Sequence, residues 1–312
     1  MTPEPAPADQ RSDLLVGNAA AVVMVLAWGA TFPLIELLVQ QWDMFSTTAS
    51  RQVGGALTLF AALWISKRRF PLHRSLPWRK LIILGFMGPA FSSFFTTLAI
   101  STAGSIAVAV VFAMGPLVAA LVARFCFAIP LQKGIPGGIF LACLGGIVVK
   151  SAQVGEASFT GGEGSMLLNM VFWAWYSIAA QRWLKGYSQL EIAALTILPG
   201  SLMQASLVAV LWITGLHEMH MPLNTTTISL AVFIAVIPIA VGNLMWHTGV
   251  SRLGVTMMAI FANLVPIIAI LLAVWLGAEP SFHQVAGGLI VLAGVIYAQV
   301  LAARSRRTAT GQ

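Results

Sequence analysis

The sequence predicts an all-α integral membrane protein with ten transmembrane helices arranged as two inverted five-helix repeats. Three observations lead there. The 312-residue chain is 58% hydrophobic and only 9% charged, with a mean hydropathy of +0.88, whereas a soluble domain carries about 25% charged residues. Apolar stretches near the ~20 residues needed to cross ~30 Å of hydrocarbon recur along the whole length. Finally, residues 101–138 and 251–288 carry one pattern twice without a gap. Ser101/Ser251, Gly104/Gly254, Ala109/Ala259, Pro116/Pro266, Ala119/Ala269, Leu121/Leu271, Ala123/Ala273, Ala128/Ala278, Pro130/Pro280, Gly137/Gly287 and Gly138/Gly288 are identical, where this composition gives about three or four matches by chance.

The spans read, in order, 14–39, 46–66, 78–98, 102–123, 134–150, 165–184, 190–214, 227–247, 254–276 and 284–303. The joints are short and leave no room for a second soluble domain. The first stretch is too long for the core of a signal peptide and is expected to be retained. Residues 1–13 and 304–312 form tails, and 14–150 and 165–303 form the two halves.

Charge orients the spans. With the N-terminus in the cytoplasm, the inner side receives all but Arg51 and Lys150 of the 17 Lys and Arg, including the cluster Lys67, Arg68, Arg69, Arg74, Arg79 and Lys80. This is the positive-inside asymmetry, and it places both termini in the cytoplasm of a bacterial inner membrane. Asp43, Glu156, Glu163, Glu218 and Glu279 fall in the outer joints. The net charge of +7 therefore reflects topology, with no nucleic-acid partner, because no folded module presents the charges to a duplex. The 67–80 cluster reads as a stop signal with affinity for anionic lipid. Five spans per half is an odd number, so the second half is inverted relative to the first.

Intramembrane polar residues point to function, since a charge at the bilayer centre costs ~2.5–3.5 kcal/mol on insertion scales. Glu36 and Arg51 lie about one turn inside the outer ends of spans one and two, at similar depth. They read either as an outer gate or contact to a charged solute, or as a buried structural ion pair. Trp28 and Thr31 share a face of span one, and Asn169, Trp173 and Tyr176 share a face of span six. Span three offers Ser92, Ser93, Thr96 and Thr97, span eight Asn243 and His247, and span nine Asn263. The cavity residues expected from this set are Trp28, Thr31, Ser93, Thr97, Trp173, Tyr176, Asn243 and Asn263. Against that stands ordinary packing: hydroxyls bond their own backbone, and amides act as glue between helices. His247 is expected near the inner end of its span, solvated. Pro116 and Pro266, at matching places in the two copies, are expected as helix bends.

Nothing resembles a catalytic or metal site, and no cofactor is expected. Cys126 and Cys143 are single thiols without metal-ligand spacing. His217 and His220 flank Glu218 in an outer joint and read as exposed. Phosphate-binding loop patterns are missing.

The Trp28-Gly29-x-x-Phe32 stretch, Arg51 early in the second helix, and the repeated prolines followed by Gly137-Gly138 and Gly287-Gly288 resemble the EamA-type transporters of the drug/metabolite transporter superfamily. The resemblance spans essentially the full chain. It implies a ten-helix inverted-repeat bundle that moves amino acids, other metabolites or drugs, often outward. Relatives commonly end the fourth helix of each half with an acidic residue. Glu279 fits, whereas Ile129 stands at the matching place in the first half, and Glu36 stands where relatives often have Lys.

The expected function is a secondary transporter that exports amino acids or related metabolites by alternating access between the halves, acting as a monomer. A multidrug or organic-cation exporter is the alternative within the same fold, since aromatic rings suit cations. A non-transporting membrane subunit or an intramembrane enzyme is the alternative of another class, and an enzyme would need more convergent acids or bases than the spans contain.

Overall fold

The computed structural model describes residues 7–67, 75–131, 134–151 and 161–310, with backbone alone at 7–12, 149–151, 254–256, 259–260, 299 and 302–310. Arg68, Arg69, Arg74, Lys133 and Glu156 of the charge reading lie outside the described residues. Among those described, every regular element is helical. The chain runs through α1 (Pro7–Val39), α2 (Met44–Lys67), α3 (Trp78–Gly85), α4 (Phe91–Ala103), α5 (Ser105–Phe112), α6 (Gly115–Phe127) and α7 (Ile135–Ser151). It continues through α8 (Gly162–Trp183), α9 (Gln189–Thr214), α10 (Thr225–Ile234), α11 (Asn243–Ala262), α12 (Val265–Trp275) and α13 (Phe282–Thr310).

The surface is unlike that of a soluble protein, although the core beneath it is also mostly apolar. Leu57, Ile65, Phe125, Phe140, Ile147, Ile213, Leu271 and Leu289 are exposed, while Thr47, Arg51, Gln52, Thr97, Thr196, Gln204 and His247 are buried. Such a surface suits lipid, which offers no partner to a polar group. Among the described residues, four helical stretches are long and apolar enough to cross a membrane: Asp13–Val39, Trp78–Ala103, Gln189–Thr214 and Thr225–Leu253. A fifth arises if Ser105–Phe112 and Gly115–Phe127, bent by 49°, count as one. Ile135–Val148, Val265–Trp275 and Phe282–Ala298 are shorter apolar stretches, the first within α7 and the last within α13.

Two segments are wound as π-helix, Phe86–Ala90 between α3 and α4 and Ala235–Gly242 between α10 and α11, and each contains a proline, Pro89 or Pro238. The ring would collide with the carbonyl four residues back and has no N–H to give it; widening the turn relieves the collision and frees carbonyls. In the first segment two carbonyls also accept side-chain amides. Gln52 Nε2 donates to the Pro89 carbonyl at 2.7 Å and Gln204 Nε2 to the Ala90 carbonyl at 2.9 Å.

Pro116 and Pro266 sit in the first turns of α6 and α12, immediately after the non-helical steps at 113–114 and 263–264. They begin helices, where no N–H is required. The helix axis bends by 49° at the α5–α6 break, just before Pro116.

Packing is dominated by exchange between the first and second parts of the chain. Helix α1 packs on α11 and α12, whereas α8 packs on α4, α5 and α6. Helix α2 packs on α9 and on the second π segment, α9 on the first π segment, and α7 on α13. The α7–α13 crossing is close enough to need glycine: a Cβ on Gly145 would sit 2.6 Å from the Gly287 carbonyl oxygen, and one on Gly294 2.9 Å from that of Gly138.

Candidate functional site

Six parts of the bundle converge on one cavity of about 90 Å³. Helix α1 supplies Trp28, Thr31 and Phe32, α2 supplies Arg51 and Gln52, and the first π segment with α4 supplies Pro89, Ser92, Ser93 and Thr96. The rest of the wall comes from Phe112 of α5, Met166, Asn169 and Trp173 of α8, and Pro238, Ile239 and Asn243 of the second π segment and α11. Each π segment thus brings its proline to the wall.

One side of the wall is polar. Ser92 Oγ donates to Asn169 Oδ1, whose amide nitrogen lies 3.4 Å from Met166 Sδ, and Thr96 Oγ1 donates to the Ser92 carbonyl at 2.8 Å. Gln52 is anchored through its nitrogen, while its Oε1 is buried without a partner. Ser93 Oγ and Trp173 Nε1 are also buried and unpartnered. Arg51 is 2% exposed. Its Nη1 donates to Thr97 Oγ1 at 2.8 Å, and its Nε has no partner.

Aromatic side chains close one end. Trp28 stacks on Trp246 with ring centroids 5.3 Å apart and meets the edge of Trp173 at 5.5 Å. Trp173 packs on Tyr176 at 5.2 Å, and Tyr176 shares its hydroxyl with Thr196 Oγ1 at 2.8 Å and His247 Nε2 at 3.3 Å.

Of the residues singled out in the sequence, the structure brings Trp28, Thr31, Ser93, Trp173, Asn243 and Arg51 to the cavity wall. Thr97 stands behind the wall as the hydrogen-bond partner of Arg51. Tyr176, 2% exposed, belongs to the aromatic stack rather than to the lining. Asn263 lies in the turn between α11 and α12, away from the cavity. His247 is buried at 1% exposure, not solvated, because the stack encloses it. The expected contact between Glu36 and Arg51 does not form. Glu36 accepts from Ser105 Oγ at the start of α5, beside Gly104, whose φ of +76° and missing side chain admit the carboxylate; a Cβ there would meet Glu36 Oε1 at 3.2 Å. His217, half-buried, approaches the Asp43 carboxylate at 3.7 Å, and His220 is exposed.

Sequence reasoning missed Gln52, Phe32, Phe112, Met166 and Ile239 in the lining. Gln52 had a signal, an amide directly beside an intramembrane arginine. The apolar four look like any other core residue. Among the described residues no three His, Cys, Asp or Glu side chains converge to hold a metal ion.

Known proteins place this architecture. The chain is 25% identical over 282 residues to the uncharacterized transporter YyaM of Bacillus subtilis (strain 168), which covers 86% of this chain and 89% of that protein. It is 24% identical over 278 residues to a protein of Streptantibioticus cattleyicolor named a probable terminal-alkyne amino-acid exporter, covering 89% of this chain and 91% of that one. A solved crystal structure superposes with a TM-score of 0.66 at 20% identity, over 94% of this chain and 99% of its own, a likeness of fold. The pattern of the EamA-like transporter family matches residues 15–150 and again residues 160–298, and with both parts of the chain so matched, this integral membrane protein belongs to that family of transporters.

Proposed function

We propose that this protein is a secondary transporter that exports amino acids or related small metabolites by alternating access. In this reading ten spans form two inverted five-helix halves, 14–150 and 165–303, in a bacterial inner membrane, with both termini cytoplasmic and a single chain as the working unit. The observation that carries it is the exchange of partners around the cavity. Each π segment packs against the second helix of the other half, and the first helix of each half packs against the third and fourth spans of the other. Rocking one half on the other then opens the cavity toward one face while closing it toward the opposite face.

Three further observations support parts of the reading. Lys67 pairs with Glu191 at 2.6 Å, Arg252 with Asp13 at 2.5 Å, and His217 approaches Asp43 at 3.7 Å. Each links residues that the charge distribution assigns to one side of the membrane. The name of the Streptantibioticus relative supports amino acids as the solute class. The organic-cation alternative is disfavoured by the cavity itself, because a guanidinium lines it and no carboxylate does.

The test is efflux and counterflow by purified protein in liposomes, across amino acids, other metabolites and cationic drugs, with and without a proton gradient. Saturable flux of an amino acid is the expected result. Flux of cationic drugs alone, or no solute flux, overturns the assignment.

A further inference from the structure

The guanidinium of Arg51 has five N–H donors, and Thr97 Oγ1 is its one hydrogen-bond partner among the described residues. Its Nε is buried and bare. Ion pairs are made by Lys67, His217 and Arg252, and Arg51 is in none of those found among the described residues. Glu36, the nearest acid by depth, is turned toward Ser105. A buried arginine kept for architecture has its planar fork filled by carboxylates or backbone carbonyls, because an unpaired charge in this setting is costly. This fork is largely empty and lies on the wall of the cavity.

From this we infer that the solute carries a single carboxylate and that Arg51 is the group that binds it, with the solute supplying the counter-charge the protein omits. The inference rests on the transport reading above and specifies its substrate class. Arginine presents paired donors that match the two oxygens of a carboxylate. Ser93 Oγ and Trp173 Nε1, both unpartnered at the same wall, are available to the rest of the polar group. Charge arithmetic selects one carboxylate over a phosphate dianion: one cation neutralises one negative charge, and a second would be left bare in a cavity without another cation. Trp28, Phe32 and Phe112 face the solute's apolar part. Because no acid lines the cavity, a free ammonium on the solute gains no ionic partner there. A 2-oxo acid therefore binds at least as well as the matching amino acid.

The test uses purified full-length protein and reads binding separately from flux. Leucine, its 2-oxo acid, leucinamide and inorganic phosphate are titrated by calorimetry in detergent, and the same four compounds are assayed for counterflow in liposomes. The expected result is binding of leucine and the 2-oxo acid at least about tenfold tighter than leucinamide, with no detectable binding of phosphate. Arg51→Gln abolishes the preference for the carboxylate, and Arg51→Lys, which retains the charge, keeps part of it. Leucinamide binding as tightly as leucine overturns the inference, and the comparison needs only the wild-type protein. So does retention of the preference in a folded Arg51→Gln variant, tighter binding of phosphate, or failure of all four compounds to bind. The two proposals separate cleanly. Carboxylate-selective binding without flux leaves Arg51 standing and sinks the transport reading. Flux of leucine and leucinamide alike does the reverse.

Discussion

Trp28 of α1 and Trp246 of α11 stack at 5.3 Å with 27° between their planes, so the floor of the cavity is an aromatic contact between segments more than two hundred residues apart. Gly242, on the turn before, makes the contact possible, since a Cβ there would stand 2.6 Å from Trp28 Cδ1 and Nε1.

Removing the indole should enlarge the cavity into its floor. Trp28→Ala forfeits aromatic contacts worth about 0.5–1.5 kcal/mol each, and the variant is expected to accept bulkier solutes than the wild type while Trp28→Phe does not. Competition by a series of solutes of increasing size reads this directly. An unchanged size limit in a well-folded Trp28→Ala protein would show that the floor does not set the limit.

Gly242→Ala should act on the same indole from behind. The added methyl overlaps a ring that is wedged between two others, so a loss of about 1–3 kcal/mol of stability is expected, together with a shift in solute preference resembling that of Trp28→Ala. Gly146→Ala is the control, because a Cβ there meets nothing within 4 Å. Thermal melting of the three proteins side by side decides; equal melting of Gly242→Ala and wild type would contradict the contact.

The two glutamines that hold the first π segment separate stability from transport. Gln52→Leu and Gln204→Leu each remove a hydrogen bond to a carbonyl of the π segment, at about 0.5–1.5 kcal/mol. Gln52 also lines the cavity and Gln204 does not. Both substitutions are expected to lower the melting temperature, and Gln52→Leu alone to change solute affinity beyond what stability explains. Because adjacent carbonyls are affected, the double variant should depart from additivity.

Glu36 and Arg51 are expected to behave independently. Their matched depth suggested an ion pair, but they bond Ser105 and Thr97 respectively. The effects of Glu36→Gln and Arg51→Gln on stability should therefore add to within about 0.5 kcal/mol. A clear rescue in the double variant would mean that the pair forms in some other state of the protein.

Reporter fusions test orientation. Sites after Lys80, after Lys185 and at the C-terminus are expected to report cytoplasm, and a site near Glu218 the outside. A C-terminus on the outside would remove both the ten-span count and the inversion.

Much of the site was visible in the sequence because aromatic and polar side chains are conspicuous in apolar helices. Trp28, Trp173, Ser93 and Asn243 reached the cavity for that reason. What depth and spacing leave open is rotation about the helix axis. Tyr176 follows Trp173 by three positions, close enough to share a broad face, yet the remaining rotation carries its ring out of the wall and into the stack with His247. The same freedom separates Glu36 from Arg51. Asn263 was placed within a continuous span, but the helix is interrupted by a turn there. Pro116 and Pro266 were recognised as points of irregularity, while the step that bends the chain lies just before each of them. Helix content was legible throughout from composition. The contacts between α7 and α13 were foreshadowed by paired glycines, whose meaning depends on a partner that spacing alone does not name.

The exchange of partners between the two parts of the chain has a consequence for its birth. A ribosome delivers α1 and α2 to the membrane long before α11, α12 and the second π segment exist, so the early helices wait in lipid with Trp28 unsheltered by the Trp173 and Trp246 rings it finally meets. Until α12 has been made, the nascent chain is therefore a natural client for insertion chaperones and for the proteases that remove orphaned helices. A copy truncated after α7 should be degraded rather than accumulate, and the same half supplied together with its missing complement as a separate polypeptide should survive.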